Sequence, residues 1–250
     1  MKIKLISDLH VEFWNSYKVP EAMLVPNSDV VVLAGDIAVK YSGIIEVLRQ
    51  FAKAYKSVIY VPGNHEFYGS DIHFLDKLED DLHIRGIWNV HFLNPGCVSI
   101  AGVHFIGAPL WTNFREDFLA QHMAKSMIAD FQKIKGFSPA KAKELHYKHL
   151  EHIRFFYNEL KGPKVIVTHF LPSVECISER FRGEGLLNNY FANDLGKEIE
   201  DMKNVPYWMF GHTHDSVDFM QGDVRMLCNP YGYEFYETNK DFKEMIVEIK

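Results

Sequence analysis

At 250 residues, with 47% hydrophobic, 24% charged and 14% aromatic side chains, the chain can bury roughly three-quarters of its unfolded surface in a single core. That mixture excludes a disordered tail, a collagen and a coiled coil, and a net charge of -6 disfavours a long nucleic acid as partner. No apolar run nears the roughly 18 residues of a membrane span, and the start from Met1 to Asp8 lacks a leader-like apolar region, so a cytoplasmic protein without membrane association is expected.

Lys2 to Ser7, Asp29 to Ala34, Ser57 to Val61 and Lys164 to Thr168 are short, aliphatic and bounded by turn formers, which predicts buried strands of an α/β sheet. Between the second and third, Ile44, Ile45, Leu48, Phe51, Ala52 and Tyr55 recur at helical spacing, and Phe74, Leu75, Leu78 and Leu82 do so again after Ser70 and Asp71. Cys97–Ile100 and Val103–Ile106 flank Ala101-Gly102 as one hairpin, and Val217–Met220 and Val224–Cys228 flank Gln221-Gly222-Asp223 as another. Ser138-Pro139 opens a helix expected to reach about Leu160, where Gly162-Pro163 stops it. No repeat or flexible linker divides the chain, so one domain over 1–250 is expected, with insertions at about 111–137 and 171–193. Cys97, Cys176 and Cys228 are odd in number and show no C-x-x-C spacing; buried thiols, not a disulfide framework or a thiolate zinc site, follow.

Polar residues gather just past the strand ends, where open α/β sheets place their sites. Asp8-Leu9-His10 follows the first strand, Gly35-Asp36 the second, Gly63-Asn64-His65-Glu66 the third, Thr168-His169 the fourth, and Gly211-His212-Thr213-His214 the strand Tyr207 to Phe210. By this composition D-x-H arises by chance roughly 0.8 times and G-D roughly once, whereas G-N-H and G-H-x-H are each expected roughly 0.04 times. The last two therefore carry most of the weight. Carboxylates, imidazoles and one amide, without thiolate, form the ligand mix of divalent Mn, Fe, Co, Ni or Zn at a reactive site. The glycines before Asp36, Asn64 and His212 are expected to let the chain turn sharply. The other eight histidines (His73, His83, His91, His104, His122, His146, His149, His152) are read as core or surface residues. Packing is the expectation for Trp111, Phe114, Phe170, Phe181, Tyr190 and Phe191, a surface role for Arg115, Arg180 and Arg182, and core or rim for the aromatic stretch Tyr231 to Tyr236.

This order of motifs, from Asp8 to His214, resembles the calcineurin-like metallophosphoesterase superfamily, and Asn229-Pro230-Tyr231-Gly232 resembles the Asn-Pro-x-Gly turn of many small members. The resemblance implies two mixed β-sheets packed as a sandwich flanked by helices, a four-layer αββα architecture. It further implies two divalent transition-metal ions, Mn favoured. Asp8, His10, Asp36 and His214 would hold the first, and Asp36, Asn64, His169 and His212 the second, with Asp36 bridging. His65 would be the catalytic histidine outside the ligand set. The implied reaction is in-line attack of a metal-bound hydroxide on a small phosphate ester. Two departures narrow this. The chain reads Gly35-Asp36-Ile37-Ala38-Val39-Lys40 and Glu66-Phe67-Tyr68 where the protein phosphatases of the superfamily carry phosphate-gripping arginines. A phosphodiester, nucleotide-sized, is therefore expected over a phosphomonoester dianion. Glu66 stands where small members usually have Asp and is expected to support His65. The alternatives are a phosphomonoesterase, a metal-dependent nuclease, and a catalytically idle, metal-organised binding module.

Overall fold

The computed structural model describes residues 1–14 and 16–250. Strands β1 (Lys2–Ile6), β2 (Val30–Ala34), β3 (Ser57–Val61) and β4 (Val90–Phe92) pair in parallel, joined by helices α1 (Tyr41–Ala54) and α2 (Leu78–Ile84) where those crossovers require them. The chain then enters a second sheet through the hairpin β5 (Gly96–Ile100) and β6 (Val103–Gly107). Its turn, Ala101-Gly102, has both φ values positive, at 47° and 82°, the geometry that two-residue hairpins favour. Helices α3 (Phe118–Met127), α4 (Asp130–Lys133) and α5 (Pro139–Glu159) precede β7 (Lys164–Val167), and α6 (Asn188–Phe191) and α7 (Gly196–Asp201) precede β8 (Tyr207–Phe210). Strands β9 (Val217–Gln221) and β10 (Val224–Cys228) complete this sheet in the order β5-β6-β7-β8-β10-β9. After the small ribbon β11 (Gly232–Tyr233) and β12 (Glu237–Thr238), β13 (Ile246–Glu248) returns antiparallel to β1.

Side-chain alternation explains why two sheets need four layers. In β2, Val30, Val32 and Ala34 face the second sheet, while Val31 and Leu33 pack with Ile44, Leu48 and Phe51 of α1. In β7, Val165 and Val167 face inward, whereas Ile166 joins Leu150 and Ile153 of α5 on the outer side. Strands buried on both faces read as unbroken aliphatic runs, and each fully buried Val or Leu contributes about 1.5–3 kcal/mol. The αββα sandwich expected from the sequence is therefore the fold. No helix is long and apolar enough to cross a membrane among the described residues. Cys176 and Cys228 are buried thiols, and Cys97 is half-buried.

The predicted elements differ from the structure in three places. The helix expected from Phe74 shrinks to Leu78–Ile84, because Phe74 and Asp76 donate backbone hydrogen bonds only three residues back, to Asp71 and His73. Strands β4 and β13 have three residues each, too few to show a period. Long helix α5, by contrast, begins as predicted: Ser138 Oγ accepts from Lys141 N at 3.2 Å, with proline in the first turn.

Helix α5 also buries His149, whose Nδ1 has no hydrogen-bond partner. Burial, then Lys148 and His146, lower its imidazole from 6.5 to about 3. Between those values the unfolded chain binds the proton and the folded chain does not, so stability present above pH 6.5 is lost as pH falls. The expected contribution is about 2 kcal/mol lost between pH 7 and pH 5. His149→Leu should flatten the pH dependence of Tm over that range; a slope identical to wild type would refute it.

Candidate metal centre

Strand ends of both sheets meet at one edge, and the loops there interlock. Asp8 N donates to Gly35 O at 3.0 Å, His10 N to Asp36 O at 2.9 Å and Gly211 N to His169 O at 3.1 Å. The turn at Asn229 locks the same edge: its amide nitrogen donates to Leu5 O at 2.8 Å, while Tyr231 N and Gly232 N donate to Ser7 O and Asp8 O at 3.0 and 2.9 Å. Asp8, His10, Asp36, His212 and His214 all adopt left-handed backbone, with φ between 47° and 71°. Such strain at non-glycine residues costs of order 1 kcal/mol or more each and collects at functional sites.

Two of the three glycines act differently from the sequence expectation. Gly35 has φ +88°, but Gly63 and Gly211 are needed for close approach instead of a turn. A Cβ on Gly63 would lie 2.1 Å from Asp36 Oδ1, and one on Gly211 would lie 2.8 Å from Asp8 Oδ2. The sharp bend is taken by the residue that follows Gly211, His212.

Five of the thirteen histidines converge here with two aspartates. Donor atoms of Asp8, His10 and His214 lie within 4.8 Å of one another, as do those of Asp36, His169 and His212 and those of His10, Asp36 and His65. Asp36 is common to two of these groups, with Oδ2 3.7 Å from His10 Nε2 and 3.4 Å from His169 Nε2. His10 Nε2 faces His214 Nε2 at 3.2 Å, and His169 Nε2 faces Asn64 Oδ1 at 3.1 Å. All eight sequence-predicted residues (Asp8, His10, Asp36, Asn64, His65, His169, His212, His214) thus lie in one cluster. His146 stays apart, its Nδ1 bonded to Trp111 O at 2.7 Å.

Hydrogen bonds orient these side chains. His169 Nδ1 donates to Ala34 O at 2.9 Å, leaving Nε2 directed at Asp36. Asn64 Nδ2 donates to the buried carboxylate of Asp130 at 2.9 Å, which turns Oδ1 toward His169. Asp130 in turn accepts from the hydroxyls of Tyr68 and Tyr190. Glu12 Oε1 lies 3.2 Å from His10 Nδ1 and 3.3 Å from His65 Nδ1, and so bridges the two rings. His65 Nε2 faces the Tyr233 hydroxyl at 3.4 Å, and its ring stacks on Tyr68 with centroids 4.2 Å apart.

Glu66 does not support His65. Its carboxylate accepts backbone N–H bonds from Asp36, Ile37 and Gly63 at 3.1, 2.7 and 2.8 Å, and a hydroxyl bond from Tyr60 at 3.1 Å. It therefore fastens the Asp36 loop to the Asn64 loop. Removing those acceptors would leave three buried N–H groups unpaired, at about 1–3 kcal/mol each.

Charge balance across the cluster follows from burial. Burial opposes ionisation of Asp36, but His169 and His65 outweigh it and hold its carboxyl well below the usual range. For His169, burial is likewise outweighed by Asp36, and the imidazole rises to about 10. Burial and neighbouring His169 instead push His212 well down, keeping it neutral. Burial works against the charge on Glu12, yet hydrogen bonds from His10 and His65 bring it to about 2.

Glu12, Asp130, Tyr68 and Tyr233 escaped the sequence reading. Only Glu12 left a local trace, standing two residues past His10 in Asp8-x-His10-x-Glu12. Tyr233 is half-buried at the edge of the cluster, with its ring centroid 4.4 Å from that of His10 and 4.6 Å from that of His214.

Beside the cluster lies a cleft of about 430 Å³ with apolar walls that include Met127, Ile128, Ile177, Phe181 and Phe191. Trp111, Phe114 and Phe170 pack in the core as expected, Tyr190 is buried where the core meets this cleft, and Phe181 and Phe191 face the cleft. Among the described residues no arginine lines it. Arg180 pairs with Asp215 at 2.7 Å and with Glu237, Arg182 with Glu179 at 2.6 Å, and Arg115 with Asp194 at 3.7 Å.

Known proteins place this geometry in context. The chain is 26% identical to an uncharacterized protein of Acanthamoeba polyphaga mimivirus, over 95% of this chain and 93% of that one. Its fold is similar to that of phosphopantetheinyl hydrolase from Mycobacterium tuberculosis, with TM-score 0.71 and 17% identity over 94% and 93% of the two chains. A dimetal phosphatase from Danio rerio is also similar, with TM-score 0.52 and 16% identity over 91% and 86%. The family model described as calcineurin-like phosphoesterase matches residues 1–216. With its motifs, its two-sheet sandwich and that match in agreement, the chain belongs to the calcineurin-like phosphoesterases, a family whose chemistry is metal-dependent phosphoester hydrolysis.

Proposed function

We propose that the protein hydrolyses a nucleotide-sized phosphodiester at a two-metal centre. Asp8, His10, Asp36 and His214 would hold one ion and Asp36, Asn64, His169 and His212 the other, with Mn2+ favoured and Fe, Zn, Ni or Co competent by ligand type. The donor set fits such ions. His212 Nε2 is buried without a hydrogen-bond partner, and the facing Nε2 atoms of His10 and His214 present two lone pairs to one point when both rings are neutral. When bound, the two cations activate water as a nucleophile near neutral pH and offset charge on the phosphoryl oxygens.

The protein's own groups divide the remaining work. Asp36 belongs to two donor groups through one buried carboxylate, and this is the observation that carries the reading. His65 is assigned to proton transfer because its Nε2 faces a hydroxyl, that of Tyr233, with Nδ1 held at Glu12, whereas the Nε2 atoms of His10 and His169 face other candidate ligands. Burial lowers its imidazole, but Asp36 and Glu12 outweigh this and raise it; in the proposed reaction it would hold a proton at Nε2 for the leaving oxygen. The apolar cleft receives the organic part of the ester and keeps water away from it. Arg115, Arg180 and Arg182 are already paired, so none of them offers a guanidinium fork to grip a phosphomonoester dianion, which favours the diester.

The test compares Mn2+-loaded protein on bis(p-nitrophenyl) phosphate and p-nitrophenyl phosphate. A kcat/KM ratio of about tenfold or more toward the diester is expected. Preference for the monoester would overturn the diester reading. The positioning role of Glu12 has a separate test. Glu12→Gln should raise the Mn2+ concentration needed for half-maximal activity by about 10–100-fold, the usual cost of losing a partner behind a ligating histidine. An unchanged Mn2+ titration would remove Glu12 from the centre.

A further inference from the structure

A second hollow, of about 860 Å³, meets the apolar cleft at His65 and Tyr68, the two residues that line both. Its chemistry is opposite to that of the cleft. Lys40, Lys133 and Lys135 line it, and none of the three forms an ion pair among the described residues. Its one acidic lining residue, Glu12, is already engaged by His10 and His65. In a chain with net charge -6, three unpaired ammonium groups around one hollow form a local positive field that attracts anions.

These lysines stand on a fixed platform. Gly69 N donates to Lys133 O at 2.8 Å and Lys135 N donates to Ser70 O at 2.7 Å, so the backbone carrying two of them is tied to the loop that carries His65. The Lys133 ammonium lies 4.7 Å from the centre of the Tyr68 ring, which itself stacks on His65. A phosphoryl group reacting beside His65 therefore has an apolar wall on one side and cationic side chains on the other.

We infer that this hollow receives a second anionic group of the substrate, a phosphate carried on one ester arm, and so selects phosphodiesters that bear a distal phosphate. The inference rests on the phosphoesterase reading above. Compact ammonium groups on flexible stems suit such a group as point charges without demanding the paired geometry of arginine.

Two substrates test it on the Mn2+-loaded protein: p-nitrophenyl propyl phosphate and its analogue with a terminal phosphate on the propyl arm. In the wild type the phosphorylated ester should have a kcat/KM about tenfold higher, an advantage that falls with added salt as exposed charges are screened. In Lys40→Ser/Lys135→Ser, which spares the lysine on Tyr68, that ratio should fall to about threefold or less. A wild-type ratio at or below one would overturn the inference while leaving the phosphoesterase reading intact. So would a ratio that persists in the double variant. Absence of turnover on both esters would instead overturn the phosphoesterase reading itself.

Discussion

Asp36→Asn is expected to lose bound metal and activity together. The carboxylate is buried, and its Oδ2 stands between His10 and His169, at 3.7 and 3.4 Å. Asparagine keeps the size but removes the charge that would balance the proposed ions, and it can present an N–H2 where a ligand oxygen would be required. The loss should exceed about 100-fold in kcat/KM, the upper range for a mere outer partner. Oδ1 also accepts the backbone N–H of His65 at 2.9 Å, so the same change loosens the His65 turn. Full activity in this variant would refute the site. Asp36→Ala is expected to be inactive as well.

His65→Ala should divide the same two properties. Metal content is expected to stay near the wild-type level, while kcat falls by about 10²–10⁴-fold, the usual contribution of a positioned acid or base. Loss should appear in kcat, because proton transfer belongs to the transition state and not to ground-state binding. This experiment also resolves the one ambiguity in the geometry, that His65 shares a donor group with His10 and Asp36. Loss of metal in His65→Ala would make it a ligand and remove it from proton transfer. A second expectation is a leaving-group effect: esters of more acidic alcohols, which need less protonation, should lose less.

Much of this candidate centre is legible in the chain because its proposed ligands follow strands directly. Asp36, Asn64 and His169 stand within three residues of the ends of β2, β3 and β7, and short aliphatic runs mark those ends. The two rare strings around Asn64-His65 and His212-His214 then fix the identity of the edge. What supports the ligands is less visible. Asp130 orients Asn64 from 66 residues away, and Tyr233 reaches His65 across 168 residues; neither relation has a local period or spacing. Glu66 sits beside His65 in sequence but serves the backbone of Asp36 and Ile37, because the short turn at His65–Phe67 points successive side chains in different directions. Phe181 and Phe191 illustrate the same limit: an aromatic in an irregular segment reads alike whether it fills a core or walls a cleft.

Bound-metal stoichiometry decides whether two ions share Asp36. Protein loaded with Mn2+, desalted and measured by elemental analysis should retain about two ions per chain, and Asp36→Asn treated identically should retain fewer than one. Wild-type protein that binds no metal, or an Asp36→Asn variant that keeps both ions, would contradict the account.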